Sequence, residues 1–155
     1  HHNILSGDDD LLLQKFAFES NCSIKYAISQ NSLVTSFAPS GFLEFLKQRL
    51  RFASKGFLYF KIKTTIEFKS VIILLYLVNL LFILNLFSGI YLINLFFFIP
   101  IFMKMVADFL LSYVFMVRMG MQWSLLAYFT LTLLHPFYIV IIGGLGPLFK
   151  LSWKN

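Results

Sequence analysis

Two long runs of apolar residues dominate the second half of the chain. No charged residue occurs from 71 to 103 or from 124 to 146. About twenty apolar residues are enough for one helix to cross a bilayer, so the first run is long enough for two spans, and Ser88 and Gly89 favour a turn between them. The pattern predicts three membrane spans, at about 70–88, 90–106 and 124–143.

The distribution of charge divides the chain into a polar and an apolar part. Residues 1–69 contain nine of the thirteen Lys and Arg residues and six of the seven Asp and Glu residues. The mean hydropathy of the whole chain is +0.79, which is typical of a membrane protein. Basic residues concentrate just before the first span, which is the pattern of a cytoplasmic segment. We therefore expect a multi-pass protein of the plasma or inner membrane with its amino-terminal part in the cytoplasm. Three crossings would place the carboxyl end outside, where Lys150 and Lys154 run against the same rule.

The polar part contains signals for several short elements. Ser6 to Asp10 is typical of a loop that leads into a helix running to about Glu19, because acidic residues stabilise the first turn of a helix. Residues 24–35 alternate between apolar and polar positions, which predicts a strand or hairpin. A helix is expected from about Gly41 to Lys55. The segment 57–69 alternates like a strand, but its position beside a span favours an interfacial helix.

The helix predicted at 41–55 has two distinct faces. At 100° per residue, Gln48, Arg51, Phe52 and Lys55 share the polar face. A guanidinium can pair with phosphate, an aromatic ring can stack on a sugar, and an amide can bind hydroxyls. A basic helix beside a membrane can equally contact anionic lipid headgroups. Both interpretations are open from this face alone.

Two further features lie near the later spans. Lys104 and Asp108 stand four residues apart, and we interpret them as an ion pair on an interfacial helix at 104–123; in lipid, the same pair would mark a functional site. His135 precedes Pro136 in the third span. We expect Pro136 to kink the helix and His135 to satisfy freed backbone groups, with a role in a conduit as the alternative.

The order of these motifs resembles that of the membrane-bound processive family 2 glycosyltransferases, which include cellulose, hyaluronan and poly-N-acetylglucosamine synthases. Gly7-Asp8-Asp9 with Leu12 is similar to the family's acidic motif. Gln48, Arg51 and Phe52 are similar to its Q-x-x-R-W motif, with Phe in place of Trp, and both motifs precede transmembrane spans as they do in the family. Further similarities are Thr35, Pro39 and Trp153.

The resemblance implies an inverting transfer of a sugar from a nucleotide-sugar donor to a glycan or lipid-linked acceptor. Asp9 would be the general base, and Asp8 and Asp10 would shape its pocket. Arg51 would stabilise the departing diphosphate, while Gln48 and Phe52 would hold the acceptor. The implied fold is mainly α: residues 1–56 are the carboxyl-terminal remnant of an α/β nucleotide-sugar transferase domain, 57–69 are interfacial, and 70–155 form about three transmembrane helices.

The resemblance also predicts a metal ion and partners for the complete enzyme. The family's metal-binding D-x-D has no counterpart beyond Asp8 to Asp10, so the magnesium or manganese ion of the complete enzyme would have its ligands outside this chain. We expect the chain to be part of a longer enzyme and inactive alone. Membrane lipids and the missing amino-terminal part are the other expected partners, and nucleic acid is not. The alternative is a non-enzymatic three-span accessory or transport subunit.

Overall fold

The computed structural model describes residues 8–19, 24–27, 29–54, 56 and 58–148. All regular structure in these ranges is helical, which confirms the mainly α class. Short 3-10 turns occur at Gln30–Ser32, Leu95–Phe97 and Gly146–Leu148. The α-helices are α1 (Asp8–Glu19), α2 (Phe42–Ala53), α3 (Leu58–Lys61), α4 (Ile66–Tyr91), α5 (Phe98–Arg118) and α6 (Leu125–Leu145).

Three of the helices are long and apolar enough to cross a membrane. They cover Ile66–Tyr91, Leu95–Arg118 and Leu125–Leu145, with lengths of 26, 24 and 21 residues when the 3-10 turn before α5 is included. Their number agrees with the prediction, and they make the chain a membrane protein with several embedded helices. Their boundaries differ from the prediction most clearly between α4 and α5.

The turn between α4 and α5 lies later than Ser88 and Gly89. Gly89 is helical and buried, and a Cβ added there would stand 2.7 Å from the ring of Phe98. The chain instead reverses near Ile93, whose φ is 49°, and Asn94, whose Oδ1 accepts a hydrogen bond from the N–H of Phe96 at 2.9 Å. Gly89 therefore permits a close helix contact rather than a turn. As a result, most of the predicted interfacial helix at 104–123 belongs to α5.

The strand predicted at 24–35 is wrong for the described residues in that range. They form extended or bent segments around the turn Gln30–Ser32, and the Ser32 hydroxyl contacts the carbonyl oxygens of Ala27 and Ser29 at 2.8 and 2.6 Å. A strand is stable only when its backbone pairs with a neighbour. No segment among the described residues pairs with this one, so its alternating pattern does not produce a sheet.

The interfacial segment is helical only in part. Helix α3 ends at Lys61 and α4 begins at Ile66, so the helix expected across 57–69 is interrupted. At the interruption the buried Thr64 donates its hydroxyl to the carbonyl of Tyr59 at 3.3 Å. The Thr65 hydroxyl accepts the N–H of Phe68 at 3.3 Å, which satisfies one of the free amides at the start of α4. Residue 57 lies outside the described residues.

The chain divides into two compact units, which we consider separately: residues 1–25, 37–76 and 140–155, and residues 26–36 and 77–139. In the second unit, each pair of long helices is joined by a contact. The Lys104 ammonium lies 5.5 Å from the Phe82 ring centroid, the Tyr128 hydroxyl donates to the carbonyl of Met105, and the Phe87 and Phe137 rings meet edge to face.

In the first unit, the end of α6 lies near the amino-terminal half of α4. Cβ atoms added at Gly143 and Gly144 would stand 3.8 and 3.0 Å from the Tyr76 side chain, and one added at Gly146 would collide with Ala53 of α2. The side of the membrane on which the carboxyl end lies stays a prediction. Lys150 and Lys154, which ran against the charge rule, lie outside the described residues.

Candidate functional site

Helix α2 brings together the three residues of the predicted acceptor and diphosphate site. Gln48, Arg51 and Phe52 occupy positions i, i+3 and i+4, which lie on one face of a helix. Gln48 and Arg51 are half-buried, Phe52 is 44% exposed, and the Arg51 guanidinium carbon lies 5.7 Å from the Phe52 ring centroid. An amide, a cation and an open aromatic face therefore lie side by side.

Hydrogen bonds hold α2 at both ends. Before the helix, the Ser40 hydroxyl and the Ser40 N–H both donate to the Glu44 carboxylate, at 2.5 and 2.7 Å. These bonds, that of the hydroxyl first, hold the pKa of Glu44 below its usual value. After the helix, Ser54 donates its N–H to the carbonyl of Leu50 and its hydroxyl to the carbonyl of Arg51. Capping of this kind fixes where the helix begins and ends, and hence which residues share a face.

A second arginine on α2 was not among the predicted site residues. The Arg49 guanidinium lies 5.0 Å from the Phe45 ring centroid, and its buried Nε has no hydrogen-bond partner among the described residues. Helix α2 carries Lys47, Arg49 and Arg51 against a single acid, Glu44, which is engaged by Ser40. The helix is therefore suited to an anionic neighbour.

The predicted catalytic acids are placed only through their backbone. Asp8, Asp9 and Asp10 form the first residues of α1, which ends at Glu19 as predicted. Their side chains, and the whole of Gly7, lie outside what the structure describes. The convergence of Asp9 with Arg51 therefore stays a prediction.

The ion pair of Lys104 and Asp108 lies inside α5. The Lys104 ammonium is 2.5 Å from the Asp108 carboxylate. The two residues are the tenth and fourteenth of the 24 in the candidate span Leu95–Arg118, so they flank its midpoint. The predicted bounds 104–123 are wrong, because the turn before α5 lies later than predicted and the helix runs from Phe98 to Arg118. The central position of the pair in this helix favours the alternative that it marks a functional site.

Other polar residues lie near the middle of the long helices in the second unit. Asn79 of α4 and Thr132 of α6 are each 5% exposed and lie near the middle of their helices. His135 of α6 is close enough for the charges of both Lys104 and Asp108 to act on it. Sequence reasoning did not single out Asn79 or Thr132; their central position in apolar helices is the signal that could have found them.

The motif His135-Pro136 is accommodated within α6. Pro136 is fully buried and the helix continues through it. His135 makes no hydrogen bond to any residue that the structure describes, and its ring centroid lies 5.9 Å from that of Tyr138. The expectation that His135 satisfies freed backbone groups is therefore wrong for the described residues, because its exposed side chain makes no hydrogen bond to any of them.

Within the described ranges, no group of three or more His, Cys, Asp or Glu residues could hold a metal ion. Comparison of the chain with protein-family models, with curated proteins and with solved structures finds no match. The functional assignment therefore depends on the chemistry of the residues themselves.

The ion pair can be tested with a double-mutant cycle on Lys104→Met and Asp108→Asn. Each single variant leaves one charge without its partner in an apolar helix, whereas the double variant removes both. We expect the double variant to be more stable than the two single effects predict, with a coupling energy of about 0.5–3 kcal/mol. Reversible unfolding in mixed micelles measures it, and strictly additive effects would contradict the pairing.

The cap of α2 predicts a dependence on pH. Because the Ser40 hydrogen bonds lower the pKa of Glu44 in the folded state, they stabilise the start of α2 above the usual pKa of a carboxyl group. This contribution is lost as the pH falls through the lowered value. Amide exchange of Phe45 to Lys47, corrected for the intrinsic rate, should show protection that falls on acidification. In Glu44→Gln the protection should be independent of this titration; an equal fall in both proteins would contradict the cap.

Proposed function

We propose that the chain is the membrane-embedded and adjoining cytoplasmic part of an inverting family 2 glycosyltransferase, which moves a sugar from a nucleotide-sugar donor to a glycan or lipid-linked acceptor. The observation that carries the proposal is the polar face of α2. An amide, a guanidinium and an aromatic ring lie together on a capped helix only 12 residues before the first long apolar helix begins.

The chemistry of this face suits the departing group and the acceptor. Arg51 offers a fork of N–H donors to a diphosphate, and its half-buried position strengthens the interaction relative to one in bulk water. Phe52 keeps 44% of its surface open for contact with the apolar face of a sugar ring. Gln48 supplies one acceptor and two donors for hydroxyl groups. Together these residues would position an acceptor next to the leaving diphosphate.

In the proposed reaction, the acceptor hydroxyl attacks the anomeric carbon as the bond from that carbon to the diphosphate oxygen breaks. Asp9 takes the proton of the attacking hydroxyl, and the nucleoside diphosphate leaves with the bonding electron pair beside Arg51. Asp8 and Asp10 shape the surroundings of Asp9. The described residues present no carboxylate cluster for the magnesium or manganese ion expected of the complete enzyme, so no step is assigned to the metal.

A different function is favoured by one observation. An ion pair in the middle of α5 is unnecessary for a simple anchor, because charged residues in membrane helices commonly mark transport or relay sites. A transport or accessory subunit would explain the pair without using the polar face of α2. The two proposals differ in whether Arg51 and Asp9 matter for turnover.

The transferase proposal predicts a selective loss of activity. In the protein produced from its complete reading frame, Arg51→Gln should lower turnover by ~10²–10³-fold, because one group that stabilises developing charge is lost. Asp9→Asn should lower it by ~10²–10⁴-fold through loss of the general base. Release of nucleoside diphosphate from a panel of nucleotide sugars, in proteoliposomes, measures both effects.

The matched control is Lys47→Gln, which removes one positive charge from an exposed position of the same helix. This variant should retain the activity of the unchanged protein. Equal losses in Lys47→Gln and Arg51→Gln would show that only the net charge of α2 matters. Unchanged turnover in Asp9→Asn, or no turnover with any donor, would leave the transferase proposal without support and favour the accessory or transport subunit.

A further inference from the structure

We propose that Lys104, Asp108 and His135 line a hydrated site in the membrane-embedded part of the protein, which binds neutral O–H groups and, above all, water. The proposal concerns the second unit alone and does not depend on the transferase assignment. Charged groups within the hydrocarbon of a membrane are energetically costly. The charged pair lies near the middle of the apolar helix α5, and His135 lies at the middle of α6, where surrounding hydrocarbon would disfavour unsolvated charges and hydrogen-bonding groups.

Pairing Lys104 with Asp108 offsets only part of this cost. The Lys104 side chain is 12% exposed and lies 5.5 Å from the Phe82 ring centroid, so its charge is covered by α4 and by the carboxylate. The Asp108 side chain is 41% exposed, and His135 is exposed as well. The open side of the cluster is therefore a carboxylate and an imidazole. These groups retain hydrogen-bonding capacity that the described helices do not fill.

The side of α5 that carries Lys104 and Asp108 differs from the opposite, apolar side. Ile101 and, just past the helix end, Met119 are buried, and Met105 and Ser112 are half-buried. At 100° per residue Asp108 lies near the middle of the face that they share, and Lys104 lies at its edge. The opposite face consists of exposed apolar residues, which suits contact with lipid tails. They are Phe102, Val106, Leu110, Tyr113 and Val117.

A backbone group adds to the unfilled hydrogen-bonding capacity. Pro136 has no N–H, so α6 supplies no amide donor to the carbonyl oxygen of Thr132 one turn earlier. Ordered water commonly satisfies carbonyl groups freed in this way within membrane helices. The carbonyl and the His135 ring belong to the same turn of α6, so one group of water molecules could serve both.

The chemistry of the cluster selects neutral O–H groups rather than ions. Lys104 and Asp108 cancel each other's charge, which removes the net attraction for a free cation or anion. The remaining groups include acceptors in the carboxylate and the carbonyl, and a neutral imidazole adds one donor and one acceptor. A molecule that both donates and accepts matches this set, and water is the smallest such molecule.

Thiol chemistry can detect the water directly, because a thiol reacts with charged methanethiosulfonate reagents only as the thiolate, which requires a hydrated environment. In a Cys22→Ser background, Ser112→Cys places a thiol one turn from Asp108 on the less exposed face. Leu110→Cys is the matched control, because it lies two residues away at nearly the same depth on the lipid-facing side. Mass spectrometry follows the modification rate in nanodiscs.

We expect the Ser112→Cys variant to react at least ~10-fold faster than the Leu110→Cys variant. Adding Lys104→Met and Asp108→Asn to Ser112→Cys should slow its reaction to the rate of Leu110→Cys. Equal, slow rates in the two variants would overturn the proposal and indicate that protein or lipid covers the cluster. A fast rate that the double substitution leaves unchanged would also overturn it. If Ser112→Cys fails to fold, Met105→Cys probes the same face.

Discussion

The contact between the Lys104 ammonium and the Asp108 carboxylate constrains the arrangement of the membrane-embedded helices. Because a charge is costly in hydrocarbon, neither residue can turn toward lipid without its partner. The pair therefore sets the rotation of α5 about its own axis and determines which side chains contact lipid. The same rotation directs Lys104 toward Phe82 of α4 and places Met105 where its carbonyl accepts the Tyr128 hydroxyl. One polar contact thus orients α5 relative to both neighbours in the second unit.

Close contacts at small residues complement this polar constraint. Apolar helices in lipid gain little from hydrophobic burial against each other, so close packing provides much of their attraction. Gly89 allows the Phe98 ring to pack on α4 at the hairpin, and Gly146 allows the end of α6 to approach Ala53. The second contact joins α2 to the end of α6 within the first unit. It keeps Gln48, Arg51 and Phe52 on a helix that is tied to the membrane-embedded part by more than the connecting chain.

The sequence was most informative where a local pattern determines the structure by itself. Acids at 8–10 indicated the first turn of α1, and the two-faced pattern of 41–55 indicated α2, because helix ends and faces depend on residues a few positions apart. Long apolar runs gave the number of candidate spans for the same reason.

The predictions failed where contacts between residues far apart in the sequence determine the structure. Gly89 was interpreted as a turn residue, although its role is to admit the Phe98 ring; a glycine in sequence does not distinguish the two. The alternation at 24–35 specifies which side chains share a face of a strand, but it cannot supply the neighbouring strand. The expected position of Lys104 and Asp108 depended on the position of the turn, so one misplaced turn moved the pair from the start of a predicted helix to the middle of a candidate span. The role of the acids at 8–10 depends on a contact across the connection to α2, which no local pattern contains.

The charges on α2 would favour the predicted contact with the acids at 8–10. The helix carries Lys47, Arg49 and Arg51 with one acid, and Glu44 is already engaged by Ser40. A connection of 22 residues separates the end of α1 from the start of α2, long enough for either approach or separation since each extended residue spans ~3.3–3.6 Å. The length of the connection therefore does not determine whether the acids approach α2. Attraction between their carboxylates and the guanidinium groups of α2 would favour the approach. The same attraction would be redirected when a diphosphate binds Arg51, because phosphate competes for the same N–H donors. In the proposed transferase, such an exchange would couple arrival of the donor to release of Asp9 as a base.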